Sequence, residues 1–194
     1  MDKLKRYNRH SIRLKGYDYS SAGAYFITIC TQNRENLFGK IENGKMIFNN
    51  AGEMVDRIYN ELENYHKIKI DKYIIMPNHF HGIIEITVGA ESISVQNGKS
   101  IVNEESIVNN ESWADMESAP TSHTNCELAN IIQTFKRYTT IEYIKMVKKH
   151  ILPPFNKRIW QRNYWEHIIR NNDELIDIRK YIKNNPENWK SDSR

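Results

Sequence analysis

The sequence predicts an α+β domain built on an antiparallel sheet of the split βαβ, ferredoxin-like kind. Three observations carry this. Runs rich in β-branched and aromatic residues have strand length, apolar stripes at helical spacing lie between them, and the order reads strand, hairpin, helix, two strands, helix, strand, terminal helix. Such an order packs helices on one face of the sheet and leaves the other free for a ligand. At 194 residues, with 39% hydrophobic and 11% aromatic content, the chain holds enough apolar material for a core, which excludes collagen and wholesale disorder.

Ala24 to Gln32 reads as a buried strand. Leu37 to Ile41 and Lys45 to Phe48 flank Asn43-Gly44, a pair suited to a hairpin turn. From Asn50 to about Tyr65, the residues Met54, Val55, Ile58, Leu62 and Tyr65 recur at helical spacing. Strands are expected at Ile68 to Met76 and His79 to Val88, separated by Pro77-Asn78. Leu128, Ile131, Ile132 and Phe135 line one face of a second helix, with Lys136 and Arg137 on its polar side and Pro153-Pro154 stopping it. Trp160 to Ile169 reads as a strand. Asn171 with Glu174 forms a capping-box pattern for a last helix from about Asn172 to Asn185, closed by Pro186.

Charge is unevenly spread. Residues 1 to 17 carry six cations against Asp2, the pattern of a basic arm, and residues 89 to 125 carry six carboxylates against Lys99. Setting aside the −5 of that segment raises the net charge from +4 to +9, a bias suited to phosphates but also to a plain solvated surface. In the acidic segment Ser100-Ile101-Val102-Asn103-Glu104 is nearly repeated by Ser106-Ile107-Val108-Asn109-Asn110. Rich in Ser, Asn and Glu, residues 89 to 125 read as a flexible insertion into a single domain spanning 18 to 194. The start shows no secretory signal and no apolar stretch has membrane length, so a cytoplasmic protein without membrane partners is expected. Cys30 and Cys126 lie far apart with no CxxC spacing, as expected of reduced thiols.

The sharpest local feature is Met76-Pro77-Asn78-His79-Phe80-His81-Gly82. Alternation on a strand sends His79 and His81 to one face and Phe80 to the other. Two imidazoles so placed can share a metal ion, although an HxH pair also occurs as surface decoration. Gly82 is expected to leave room for a substrate backbone. On the last helix Leu175, Ile178 and Ile182 form the apolar stripe, with Tyr181 and Asn185 side by side at its edge. That pair fits a nucleophile beside a metal ligand, or a tyrosine that merely completes the apolar face. His167 is either a further ligand or a structural histidine bonded to the backbone.

Taken together, MPNHFHGII, WQRNYWEHIIR (Trp160 to Arg170), YIKNNP (Tyr181 to Pro186) and YFITICTQNRENLFG (Tyr25 to Gly39) resemble the REP-associated tyrosine transposases of bacteria, within the single-tyrosine HUH transposases. The similarity covers nearly everything except the basic arm and residues 89 to 125. It implies an enzyme in which His79, His81 and Asn185 hold Mg²⁺ or Mn²⁺ and Tyr181 attacks single-stranded or hairpin DNA, giving a 5′-phosphotyrosine and a 3′-hydroxyl. Asn185 stands where related insertion-sequence enzymes use Gln, a longer amide. The resemblance gives the basic residues Arg34, Lys136, Arg137, Arg162 and Arg170 a phosphate backbone to follow, and Tyr164 or Trp165 bases to stack on. It leaves monomer and homodimer open. Other readings are a domesticated hairpin-binding protein without cleavage and a metal hydrolase using the HxH pair.

Overall fold

A computed structural model describes residues 21–87 and 127–189. The expected basic arm, the acidic insertion and Cys126 lie outside the described residues.

Strand β1 (Gly23–Cys30) pairs antiparallel with β5 (His79–Ile86) on one side and with β6 (Trp165–Ile169) on the other, and β5 pairs antiparallel with β4 (Ile68–Met76). The order is β4-β5-β1-β6. β1 and β4 are thus parallel but separated by β5, the split βαβ arrangement expected from the sequence. The β2 (Gly39–Glu42) and β3 (Lys45–Phe48) hairpin stands apart, and its turn needs positive φ twice, at Asn43 (50°) and Gly44 (71°). Asn-Gly adopts this conformation more readily than other pairs.

Helices α1 (Asn50–Glu61) and α2 (Glu127–Lys148) cover one face of the sheet. The Asn49 side chain caps α1 by accepting from the amides of Ala51 and Gly52. The expected helical run to Tyr65 ends earlier, at Glu61, and a 3-10 turn continues to Asn64. The α1–α2 face buries Tyr25, Ile27, Ile29, Phe80 and Ile84 from the sheet against Val55, Ile58 and Tyr59 of α1 and Leu128, Ile131, Ile132 and Phe135 of α2. Gly82 belongs to this side as well. A Cβ there would lie 2.7 Å from the Tyr59 hydroxyl, so the glycine admits core packing and does not make room for substrate.

Three further expectations are corrected. The strand expected from Trp160 is shorter, because Trp160 makes only a lone bridge to Thr31, while its ring packs on Phe38 and its indole N–H donates to Thr139 Oγ1 at 2.8 Å. α2 stops five residues before Pro153, and His150 (φ 58°) turns the chain just beyond its end. The opposite face of the sheet is not wholly free. Helix α3 (Asn172–Asn184) lies across it, and Ile182, Leu175 and Ile178 pack on Phe26, Ile83 and Ile74. An ion pair from Arg179 to Asp71 at 2.7 Å ties α3 to β4. Among the described residues no helix is long and apolar enough to cross a membrane.

Candidate active site

The site forms where α3 crosses the second face of the sheet. Alternation sends His79 and His81 of β5, Phe26 and Thr28 of β1, and Trp165 and His167 of β6 to this face. The turn before His79 is clamped from behind. Pro77 O accepts from the amides of Leu37 and Phe38, and Asn78 O accepts from both the amide and the hydroxyl of Thr31. The imidazoles therefore sit on a fixed support.

His79 and His81 are 8% and 5% exposed, with ring centroids 4.6 Å apart. In each ring Nδ1 meets a neighbouring side chain: His79 Nδ1 is 2.7 Å from Asn78 Oδ1, and His81 Nδ1 is 2.8 Å from Thr28 Oγ1. Protonated at Nδ1, each ring would keep its lone pair on Nε2, and the side chain that holds the Nδ1 proton would fix the tautomer and the ring angle, as metal-binding imidazoles require. Burial pushes the His81 imidazolium down to about 3, with help from His79 and Arg34, so this ring is neutral at physiological pH, as a ligand must be. The residues present thus fit a divalent ion. Among the described residues no three His, Cys, Asp or Glu side chains converge as a metal site.

Tyr181 on α3 faces this pair. Its hydroxyl makes a long contact, 3.4 Å, with His81 Nε2, and its ring meets Phe26 edge to face at 6.0 Å. It is 51% exposed, unlike the buried tyrosines of the core, so its oxygen opens into a cavity of about 1360 Å³. Asn185, Arg34, Trp165 and both histidines line the same cavity.

The expected basic residues divide. Arg34 borders the tyrosine cavity. Arg162 and Arg137 line a separate concavity along α2. Lys136, expected on the polar side of α2, is turned inward instead. Its ammonium donates to the carbonyls of Gln161, Arg162 and Asn163 at 3.0, 3.4 and 3.3 Å and lies over the Tyr164 ring. Burial lowers its pKa to about 8, with the nearby Cys30 opposing the shift. Arg170 is exposed, outside the tyrosine cavity, and its amide donates to Glu174 Oε2. His167 finds a carboxylate where a backbone partner was expected: its Nε2 is 2.5 Å from Glu174 Oε1. Glu174, capped in turn by Asn171, holds the start of α3 to β6, and hydrogen bonds to the Arg170 amide and His167 keep its carboxyl below the usual range. The sequence singled out His167 and, through the capping pattern, Glu174, but not their pairing; it gave no sign of the contacts that Thr28 and Asn78 make to the two imidazoles.

No protein-family model matches the sequence. The chain is 37% identical over 187 residues to an uncharacterized protein of Haemophilus influenzae, spanning 96% of this chain and 92% of the relative. Among solved structures it is similar to a REP-associated tyrosine transposase bound to a REP hairpin, with a TM-score of 0.48 at 16% identity over 95% of this chain and 73% of that one. A proposed transposase of Deinococcus radiodurans gives 0.45 at 11% identity, over 90% of this chain and 97% of that one.

Proposed function

We propose that this chain, which belongs to the same family as the Haemophilus influenzae protein, cleaves and rejoins single-stranded DNA near hairpin repeats, with Tyr181 as nucleophile. The observation that carries the reading is the approach of the Tyr181 hydroxyl to within 3.4 Å of His81 in a cavity that also holds His79 and Asn185. A hundred residues separate the two in sequence, and the HFH and YIKNN motifs resembling the HUH transposases meet at one point.

The Tyr181 oxygen forms a bond to phosphorus as the bond from phosphorus to the 3′ oxygen breaks. The phenol proton passes to water, and the departing oxygen takes a proton from water to become a 3′-hydroxyl. The 5′ side remains on the protein as a phosphotyrosine ester, which conserves the phosphodiester for attack by a second 3′-hydroxyl, so no nucleotide cofactor is consumed. A divalent ion, Mg²⁺ or Mn²⁺, held by His79, His81 and Asn185 would polarise the scissile phosphate and offset its developing charge. Phe26 fixes the tyrosine ring from the side, which favours a single angle of approach. Arg34, at the cavity wall, offers a bidentate donor for a phosphate oxygen.

The test uses the full chain with a labelled hairpin oligonucleotide carrying single-stranded flanks and Mn²⁺. The expected result is a covalent adduct that survives denaturing electrophoresis and is lost in Tyr181→Phe, while binding persists. An adduct formed by Tyr181→Phe would overturn the assignment. Binding by the wild type with no adduct in Mg²⁺ or Mn²⁺ would favour a non-cleaving hairpin-binding protein.

A further inference from the structure

We propose that a small basic concavity, separate from the tyrosine cavity, is a dedicated site for a backbone phosphate of the DNA strand beyond the scissile position. This rests on the reading of the chain as a DNA-processing enzyme. The concavity, of about 310 Å³, is lined by Gln32, Asn33, Asn156, Lys157, Arg158 and Arg162. Three cations and three amides line it, and no carboxylate does. Among the described residues none of these cations forms an ion pair. Like charges gathered without a counter-ion repel one another, and a bound anion relieves that repulsion.

The walls are built in advance of any ligand. The Gln32 amide donates to Ile159 O at 2.6 Å and the Gln161 amide to Cys30 O at 2.9 Å, with the Thr31–Trp160 bridge between them. These bonds staple the Gln32–Arg34 turn to the segment at 156–162, so little ordering remains to be done on binding. Strain is concentrated here too. Asn33 (φ 55°) and Lys157 (φ 63°) line the concavity in left-handed conformations, and Arg34 (φ 57°) adjoins it. Asn43 serves the hairpin turn and His150 the end of α2, whereas Lys157 is the centre of a tight three-residue turn in which the Arg158 amide donates to Asn156 O at 2.7 Å, a strained conformation at the wall of the concavity. Left-handed non-glycine residues held in place by their surroundings gather at binding sites.

The concavity also lies on a route. Arg34, at the end of the same turn, borders the tyrosine cavity, and Arg162 borders both this concavity and the one that Arg137 and Tyr164 line along α2. A strand leaving Tyr181 would meet Arg34, then this site, then α2. A free phosphate shares the chemistry but cannot span the route.

The full chain is compared with the Lys157→Asn/Arg158→Gln double variant, in which Asn tolerates the left-handed backbone. Arg158→Gln alone serves if the pair fails to fold. The probes are one hairpin with long single-stranded flanks, the same hairpin trimmed to the scissile nucleotide, and inorganic phosphate. Loss of one single-strand phosphate contact lowers the slope of log affinity against log salt by about 0.7, so the advantage of the wild type on the long-flank hairpin shrinks roughly 2.6-fold from 50 to 200 mM salt. The trimmed hairpin should bind both proteins alike, and adduct formation at saturating DNA should keep its rate. An unchanged slope, or displacement of the long flank by millimolar inorganic phosphate beyond its ionic-strength effect, overturns the proposal. A wild type that shows the flank-dependent slope but no adduct refutes the tyrosine chemistry and leaves the phosphate site standing. An adduct with an unchanged slope refutes the phosphate site alone.

Discussion

Substituting His81 should change how stability depends on pH, by an amount that follows from its burial. In the folded chain the His81 ring resists protonation until about pH 3, chiefly because it is buried and further because His79 and Arg34 lie near it. In the unfolded chain it titrates near 6.5. Below pH 6.5 the unfolded state therefore takes up a proton that the folded state refuses, and stability falls with pH until the folded value is reached. At 1.36 kcal/mol per unit, and allowing for partial protonation near the unfolded value, lowering the pH from 7 to 5 removes about 2 kcal/mol, roughly a thirtyfold change in the unfolding constant. The assay is urea unfolding in EDTA at both values, for the wild type and for His81→Asn, which keeps a polar group near Thr28. The wild type should lose about 2 kcal/mol more than the variant. The other histidines largely cancel, since both proteins carry them. Equal losses in the two proteins would show that the ring is already accessible to protons, and the case for a neutral, ligand-ready imidazole would fall with it.

His79→Ala combined with His81→Ala should abolish cleavage together with its dependence on a divalent ion, and undiminished adduct formation in Mg²⁺ would refute the metal assignment. Tyr59→Phe should stabilise the fold by about 1 kcal/mol, because the Tyr59 hydroxyl is buried with no hydrogen-bond partner among the described residues; a drop in the urea midpoint would mean that the hydroxyl is satisfied after all. Lys136→Gln should leave the salt slope of DNA binding unchanged, since its ammonium already serves three carbonyls; a slope smaller by about 0.7 would put that charge on a phosphate.

The parts of the fold that local pattern determines were legible in the sequence. Asn43-Gly44 marked the hairpin because few other pairs accept two positive φ angles, and the stripe from Leu128 to Phe135 marked the buried side of α2. Lys136 was misjudged by residue type, although its spacing was informative: four residues beyond Ile132, it continues the edge of the apolar stripe, where a long aliphatic stem can pack and only the ammonium needs partners. The position of α3 was legible in part. Phe26 and Ile83 make the central strands apolar on both faces, and such strands require cover on both. What local pattern does not carry is register. Thr28 meets His81 because β1 and β5 pair at those residues, and Lys157 and Gln32 line one concavity because backbone bonds join segments more than a hundred residues apart. Tyr181 needs both kinds of information. It precedes Ile182 of the buried stripe, which turns it to the stripe's edge, but it faces His81 only because that stripe settles on Phe26 and Ile83 of the same sheet face. A shift of one residue in β5 would send both histidines into the α1–α2 core and leave the tyrosine over Phe80.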